Sequence, residues 1–94
     1  MARAILGGVV VAESDDVVVV ERNVYFPRAA VRDQHVRPSR RRTWCPWKGR
    51  ARYFDVVAGD AVVRAGAWYY PETTRWAAHL RGRVAFRRGV EVER

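Results

Sequence analysis

The residues best suited to chemistry lie together in one short segment, Thr43-Trp44-Cys45-Pro46-Trp47-Lys48-Gly49. This segment holds a thiol, an ammonium group and two indole rings, a combination that neither a strand nor a turn requires. Pro46 fixes one backbone angle, and Gly49 permits a positive φ or the close approach of another backbone segment. We therefore expect a defined geometry here, with Cys45 and Lys48 as candidate catalytic residues.

Two roles are open for Cys45. Lys48 and the nearby arginines favour the thiolate, which is the nucleophilic form; alternatively, Cys45 is a small buried hydrophobic residue and Lys48 a solvated charge. A Cys-His hydrolase would also need His35 or His79 beside the thiol, and only the fold decides whether either histidine lies there. The alternative is two surface histidines.

Aromatic residues form the second candidate feature. Rings that lie near a lysine and a hydroxyl group can enclose a small planar or anionic ligand. Trp68 and Tyr70 are two residues apart, so they lie on one face of a strand, where the alternative is that they are simply core residues. The candidate ligand-binding residues are Tyr25, Ser39, Trp47, Gly49, Trp68 and Tyr70.

Positive charge is concentrated in one part of the chain. The formal net charge is +8, and residues 37–52 contain seven basic residues and no acidic one. Arginines interleaved with Trp44 and Trp47 are typical of surfaces that bind single-stranded nucleic acid. An arginine bias along the whole chain produces the same composition, so we rank nucleic acid below a small molecule as the partner.

The pattern of β-branched residues and turn residues predicts mostly extended chain. We expect a hairpin between residues 9–12 and 17–20, a strand at 24–26 that ends at Pro27, and a long loop at 28–43. A second hairpin joins residues 50–57 to 61–70 across Gly59-Asp60, and a third joins 84–86 to 90–92. One short helix is predicted from Thr74 to Leu80, capped by Thr73 or Thr74 and ended by Gly82.

Several short motifs, taken in order, resemble the domain-of-unknown-function family numbered 427, which some catalogues label nucleotidyltransferase-like. The resemblance covers essentially the whole chain and implies a mainly β fold: a compact antiparallel β-tent or barrel-like domain with one short helix. The matching motifs are Val10-Val11-Ala12-Glu13-Ser14, Tyr25-Phe26-Pro27, Pro38-Ser39, Cys45-Pro46-Trp47-Lys48-Gly49, Tyr53, Ala67-Trp68-Tyr69-Tyr70-Pro71 and Gly82-Arg83-Val84-Ala85-Phe86.

The residues fit two kinds of metal chemistry poorly. Many β-tent domains hold zinc with two Cys-x-x-Cys pairs, whereas this chain has one cysteine and two histidines without ligand spacing, so we expect no metal and no cofactor. Nucleotidyl transfer requires two or three carboxylates that hold Mg²⁺. Asp15 and Asp16 are adjacent, so they point to opposite faces of a strand or lie solvated in a turn.

Length and composition set the remaining bounds. The 94 residues predict one domain, residues 1–94, with room for one core and a shallow pocket. No apolar run is long enough to span a bilayer, and we interpret the apolar start, which two glycines interrupt, as a first strand rather than a signal peptide. A single cysteine fits a reducing, cytoplasmic location.

The sequence thus predicts a cytoplasmic domain that binds a small molecule, with Lys48 holding an anionic or carbonyl group of the ligand. The first alternative is an enzyme acting on a nucleotide-like substrate at the same pocket through Cys45 or Lys48. The second is single-stranded nucleic-acid binding through the basic segment. The oligomeric state is left open.

Overall fold

A computed structural model describes residues 1–94, which form nine strands in three antiparallel sheets and three short 3₁₀ helices. The predicted mainly β, antiparallel fold is confirmed, although the sheets do not close into a barrel. None of the helices is long and apolar enough to cross a membrane. The strands are β1 (Ala2–Leu6), β2 (Val9–Ser14), β3 (Val18–Val20), β4 (Asn23–Tyr25), β5 (Val36–Cys45), β6 (Gly49–Ala58), β7 (Ala61–Tyr69), β8 (Val84–Phe86) and β9 (Glu91–Glu93).

The first sheet has the order β2-β1-β9 and shows that the first predicted hairpin is wrong. β2 pairs with β1 rather than with β3, because Gly7 and Gly8 adopt φ values of +57° and +79° and turn the chain directly back. These are the left-handed values that a two-residue hairpin turn requires. The apolar start is therefore two strands rather than one.

β3 and β4 form a separate two-stranded hairpin, with Val20 opposite Asn23. Its two turn residues, Glu21 and Arg22, have φ values of +53° and +69°. Asn and Gly usually occupy such positions, because a β-carbon disfavours the left-handed region. This hairpin is therefore held in place by contacts beyond its own turn.

The third sheet, of order β5-β6-β7-β8, carries the candidate site. The predicted β6–β7 hairpin is confirmed, with Ala58 opposite Ala61. The predicted long loop at residues 28–43 is wrong beyond residue 35, since β5 pairs with β6 at residues 36–38 and again at residues 42–45. Before β5, two 3₁₀ helices span Arg28–Ala30 and Asp33–His35.

The end of the chain also departs from the expected pairing. β8 pairs with β7, whereas β9 crosses to the first sheet and pairs with β1, so no hairpin joins them. A 3₁₀ helix, Arg75–Leu80, stands where the short helix was predicted and buries Ala77 and Leu80.

Most of the buried residues form two clusters. The larger contains 15 residues of both large sheets and their connections, among them Val11, Phe26 and Val56. The smaller lies beneath the third 3₁₀ helix and contains six residues, with Cys45, Tyr53 and Trp68 packed against it. The candidate site lies over this smaller cluster, which consists of Tyr25, Ala51, Tyr70, Ala77, Leu80 and Ala85.

Candidate functional site

The β5–β6 turn places Lys48. Cys45 pairs with Gly49, so the turn consists of residues 46–48. The backbone N–H of Thr74 donates a hydrogen bond to the Lys48 carbonyl at 3.1 Å, and the Thr74 hydroxyl donates to the carbonyl of Trp47. These bonds fasten the turn to the segment that precedes the third 3₁₀ helix.

Gly49 permits a close backbone approach in this turn. Its φ is +122°, and a β-carbon added there would lie 2.8 Å from the Glu72 carbonyl oxygen. A side chain at this position would therefore meet both backbone strain and a steric clash. The role that the structure supports for Gly49 is positioning of Lys48.

Lys48 is the one charged residue among the buried ones, with 8% of its side chain exposed. Its ammonium group pairs with the Glu21 carboxylate and lies 5.1 Å and 6.0 Å from the ring centroids of Trp47 and Tyr70. Burial lowers the pKa of Lys48, but the hydrogen bond to Glu21 and the neighbouring Tyr25 raise it more, so that the pKa is above its ordinary 10.5. Lys48 is therefore charged at neutral pH.

Aromatic rings from three strands stand beside Lys48. Tyr53 on β6 lies opposite Trp68 on β7, and Tyr70 follows at the end of β7. The Trp68 indole N–H donates to the Tyr25 hydroxyl at 3.3 Å, and the two rings meet edge to face at 6.2 Å. Tyr25 is fully buried, so it orients Trp68 from within the core.

Tyr70 differs from an ordinary surface tyrosine. Burial is the main cause of a raised pKa at Tyr70, and the nearby Tyr25 and Cys45 raise it further. The phenol is therefore protonated throughout the physiological range and is available as a hydrogen-bond donor.

These side chains line a shallow, open depression of about 290 Å³, which we call the lysine depression. The Arg41 guanidinium lies 5.1 Å from the Tyr53 ring centroid, and neither Arg41 nor Arg87 forms an ion pair. No carboxylate is among the lining residues. The lining consists of Arg41, Lys48, Tyr53, Trp68, Tyr70 and Arg87.

The predicted ligand-binding residues are only partly brought together. Lys48, Trp68 and Tyr70 line the lysine depression, while Trp47 contacts Lys48 and Tyr25 contacts Trp68 from behind. Gly49 faces a neighbouring groove instead.

Ser39 lies outside the depression. Its hydroxyl accepts a hydrogen bond of 3.2 Å from the backbone N–H of Arg41, within the irregular stretch of β5 between Pro38 and Arg42. Ser39 therefore stabilises the local backbone of β5 beside Arg41 rather than lining the depression.

Cys45 is half-buried and packs against the smaller core cluster. No hydrogen bond to its sulfur is present. His35 directly precedes β5, whose ten residues separate it from Cys45 by about 30 Å. Its ring nitrogen Nδ1 lies 2.8 Å from the Val57 carbonyl oxygen. His79 is exposed on the third 3₁₀ helix and is not bonded to Cys45. The fold therefore does not form a Cys-His dyad.

The carboxylates discussed for nucleotidyl transfer lie in a turn. Asp15 is 3.3 Å from the N-terminal ammonium group, and Asp16 is 3.2 Å from the Arg83 guanidinium. No group of three or more His, Cys, Asp or Glu residues is arranged to hold a metal ion.

Sequence reasoning missed Glu21, and it did not assign Arg41 or Arg87 to the pocket. The interval between the apolar runs at residues 17–20 and 24–26 indicates a turn, which would have placed Glu21 at a hairpin tip. Nothing local relates Glu21 to Lys48, which is 27 residues further along the chain. Only the packing of the β3–β4 hairpin against the β5–β6 turn brings the two together.

Comparison with known proteins identifies the family of the whole chain. The family model described as Domain of unknown function (DUF427) matches residues 1–94. No curated protein matches the chain. Since the match extends over every residue, the chain belongs to the DUF427 family.

Proposed function

We propose that the lysine depression binds a small anionic ligand with a planar part. The observation that carries the proposal is the convergence of Lys48, Arg41 and Arg87 on one depression with aromatic walls and no lining carboxylate. Lys48 has an internal counterion in Glu21, but the two arginines have none. An incoming anion would supply the charge that they lack.

The arrangement of the aromatic rings supports the proposal that the ligand contains a planar group. Tyr53 and Trp68 lie side by side on neighbouring strands, and aromatic groups favour stacked or edge contacts with such rings. The protonated Tyr70 hydroxyl and the Lys48 ammonium group add hydrogen-bond donors. A volume of about 290 Å³ is at the small end for ligand sites, so the ligand is of metabolite size.

The proposal is one of binding rather than catalysis. Cys45 packs against the core beneath the depression, and no base is hydrogen-bonded to its sulfur. A nucleophilic cysteine requires such a base or a strongly cationic contact with its sulfur.

Benzoate is a suitable probe because benzamide has the same shape without the charge. Titration of ¹⁵N-labelled protein should give saturable shifts of the Trp68 indole N–H with benzoate and much smaller ones with benzamide. The variant R41Q/R87Q lacks both of these arginine charges. Its affinity for benzoate should be lower by a factor of about ten or more, as expected for the loss of charge-assisted hydrogen bonds.

The matched control is R64Q/R94Q, which removes two exposed arginines that do not line the depression. This variant should keep the benzoate affinity within about twofold, the range for distant surface changes. Equal shifts with benzamide, or equal losses in both double variants, would contradict the proposal.

A further inference from the structure

The β5–β6 hairpin has a second face with different chemistry. Arg42 lies opposite Arg52, and Trp44 lies opposite Arg50. Side chains of directly paired residues share a face of a sheet, and the face alternates along each strand. These four side chains therefore point away from the face of Cys45, Ala51 and Tyr53 that forms the lysine depression; we call them the arginine face.

The arginines of this face have no counterion. Only Arg3, Arg28 and Arg83 pair with carboxylates in this protein, so Arg42, Arg50 and Arg52 are unpaired like most of its arginines, and they lie together on one face. Like charges directly opposite each other destabilise a sheet. A bound anion between Arg42 and Arg52 would remove this repulsion.

Trp44 supplies an aromatic surface on the same face. It is 68% exposed, which is unusual for so large an apolar side chain, and it stands directly beside Arg50. Packing within the protein does not explain why so large a ring is placed at the surface. A ring in this position offers its π face to a partner.

An open groove of about 860 Å³ follows the arginine face. Its far wall is the segment 71–74, where the Thr73 hydroxyl is shielded from solvent and has no hydrogen-bonding partner. Glu72 is the one acidic residue in the lining. The groove has about three times the volume of the lysine depression, so it has room for an extended chain.

We propose that the arginine face binds single-stranded nucleic acid, with Arg42, Arg50 and Arg52 contacting phosphates and Trp44 stacking on a base. Arginines that follow a backbone and rings that stack on bases are the two components of such surfaces. Stacking on Trp44 requires an unpaired base, which favours a single strand over a duplex. The amino-acid composition alone did not decide whether the basic segment binds nucleic acid. The proposal rests on the placement of the three arginines and Trp44 on one face of β5 and β6.

The experiment measures fluorescence anisotropy of labelled twelve-residue oligo-dT and oligo-rU with increasing protein, in about 50 to 300 mM salt. Three phosphate contacts predict a slope of log affinity against log salt of about −2, at roughly 0.7 per contact. The variant R42Q/R52Q should lose about 1.4 of that slope, whereas R64Q/R94Q should keep it. Saturable binding of either oligonucleotide with this pattern supports the proposal.

Trp44→Ala tests stacking, and the chain offers a close control. Trp76 is 67% exposed and has Arg75 5.1 Å from its ring, but it lies on the third 3₁₀ helix and does not line the groove. Trp44→Ala should weaken oligonucleotide binding at least about fivefold, and Trp76→Ala should not. Unchanged thermal midpoints would establish that the variants are folded.

Four results would overturn the proposal. The first is no saturable binding of either oligonucleotide below about 100 µM protein, the weak end of non-specific binding. The second is an equal loss of oligonucleotide binding in a test variant and in its control. The third is binding of a duplex as tight as that of the single strand. The fourth is Trp44-dependent binding to anionic lipid vesicles without oligonucleotide binding. None of these depends on benzoate, so failure here and failure at the lysine depression are distinguishable.

Discussion

Lys48 keeps its charge although almost all of its side chain is buried. An isolated buried ammonium group would lose its proton, because transfer from water disfavours the charged form. Here the Glu21 carboxylate and the rings of Trp47 and Tyr70 replace the lost hydration. The charge that the proposed ligand would meet is thus held in a fixed place.

The raised pKa values of Lys48 and Tyr70 predict a loss of stability at alkaline pH. Both groups hold their proton more tightly in the folded protein, so their contribution is complete below pH 10.0 for Tyr70 and 10.5 for Lys48. It is lost as the pH rises through the folded values. We expect the free energy of unfolding, measured in urea from pH 7 to about 12, to fall above pH 10.

Lys48→Met and Tyr70→Phe should each make that fall less steep, because each removes one titrating group. Tyr69→Phe is the control, since Tyr69 is only partly buried and lies outside the depression. An unchanged pH dependence in both test variants would contradict the prediction that Lys48 and Tyr70 cause the alkaline loss of stability.

At the scale of elements, the β3–β4 hairpin is locally unfavourable. Its turn places Glu21 and Arg22 in left-handed conformations, which cost about 1–2 kcal/mol for each residue with a β-carbon. The ion pair between Glu21 and Lys48 offsets part of this cost. The hairpin is thus held against the candidate site by a tertiary contact rather than by its own turn.

Arg22→Gly is expected to stabilise the protein by about 0.5–1 kcal/mol. Glycine adopts the left-handed conformation without steric cost, and the greater flexibility of the unfolded glycine chain cancels part of the gain. Arg22→Ala is the matched control, because it removes the same exposed side chain but keeps the β-carbon. Equal free energies of unfolding for the two variants would show that the turn is not strained.

At the scale of the whole molecule, positive charge is distributed unevenly. The net charge is +8, and the arginine face gathers three arginines without a paired carboxylate. Such a distribution favours solubility and attraction of anions while weakening the folded state through self-repulsion. The lysine depression and the arginine face lie on opposite sides of one hairpin, so the same two strands present both candidate binding surfaces.

Arg52→Gln should therefore increase the free energy of unfolding at low salt, by about 0.2–1 kcal/mol, because it removes one of two directly opposed like charges. The gain should shrink between about 10 mM and 500 mM salt as screening increases. Arg64→Gln removes the same charge at an exposed position outside the arginine face and should have a smaller effect. A gain that does not depend on salt would exclude repulsion as its cause.

Local interactions explain what the sequence alone determined. β-branched runs and the Gly59-Asp60 turn specify the β6–β7 hairpin, since adjacent strands and a short turn interact over few residues. The mainly β character and the short helix follow from the same local preferences. The family was also readable from sequence, because the spacing of its motifs extends over the whole chain.

Tertiary structure decided which strands pair and which side chains meet. Two of these features join distant parts of the chain: the crossing of β9 to β1 and the contact of Glu21 with Lys48. A third, the strand that replaces the predicted loop at residues 36–43, depends on its pairing with β6. Strand pairing of this kind is selected by the burial of shared apolar faces and by loop closure, which are properties of the complete fold. Residue types and spacing therefore suggested the chemistry of Lys48 and the aromatic rings, and only the fold separated the lysine depression from the arginine face.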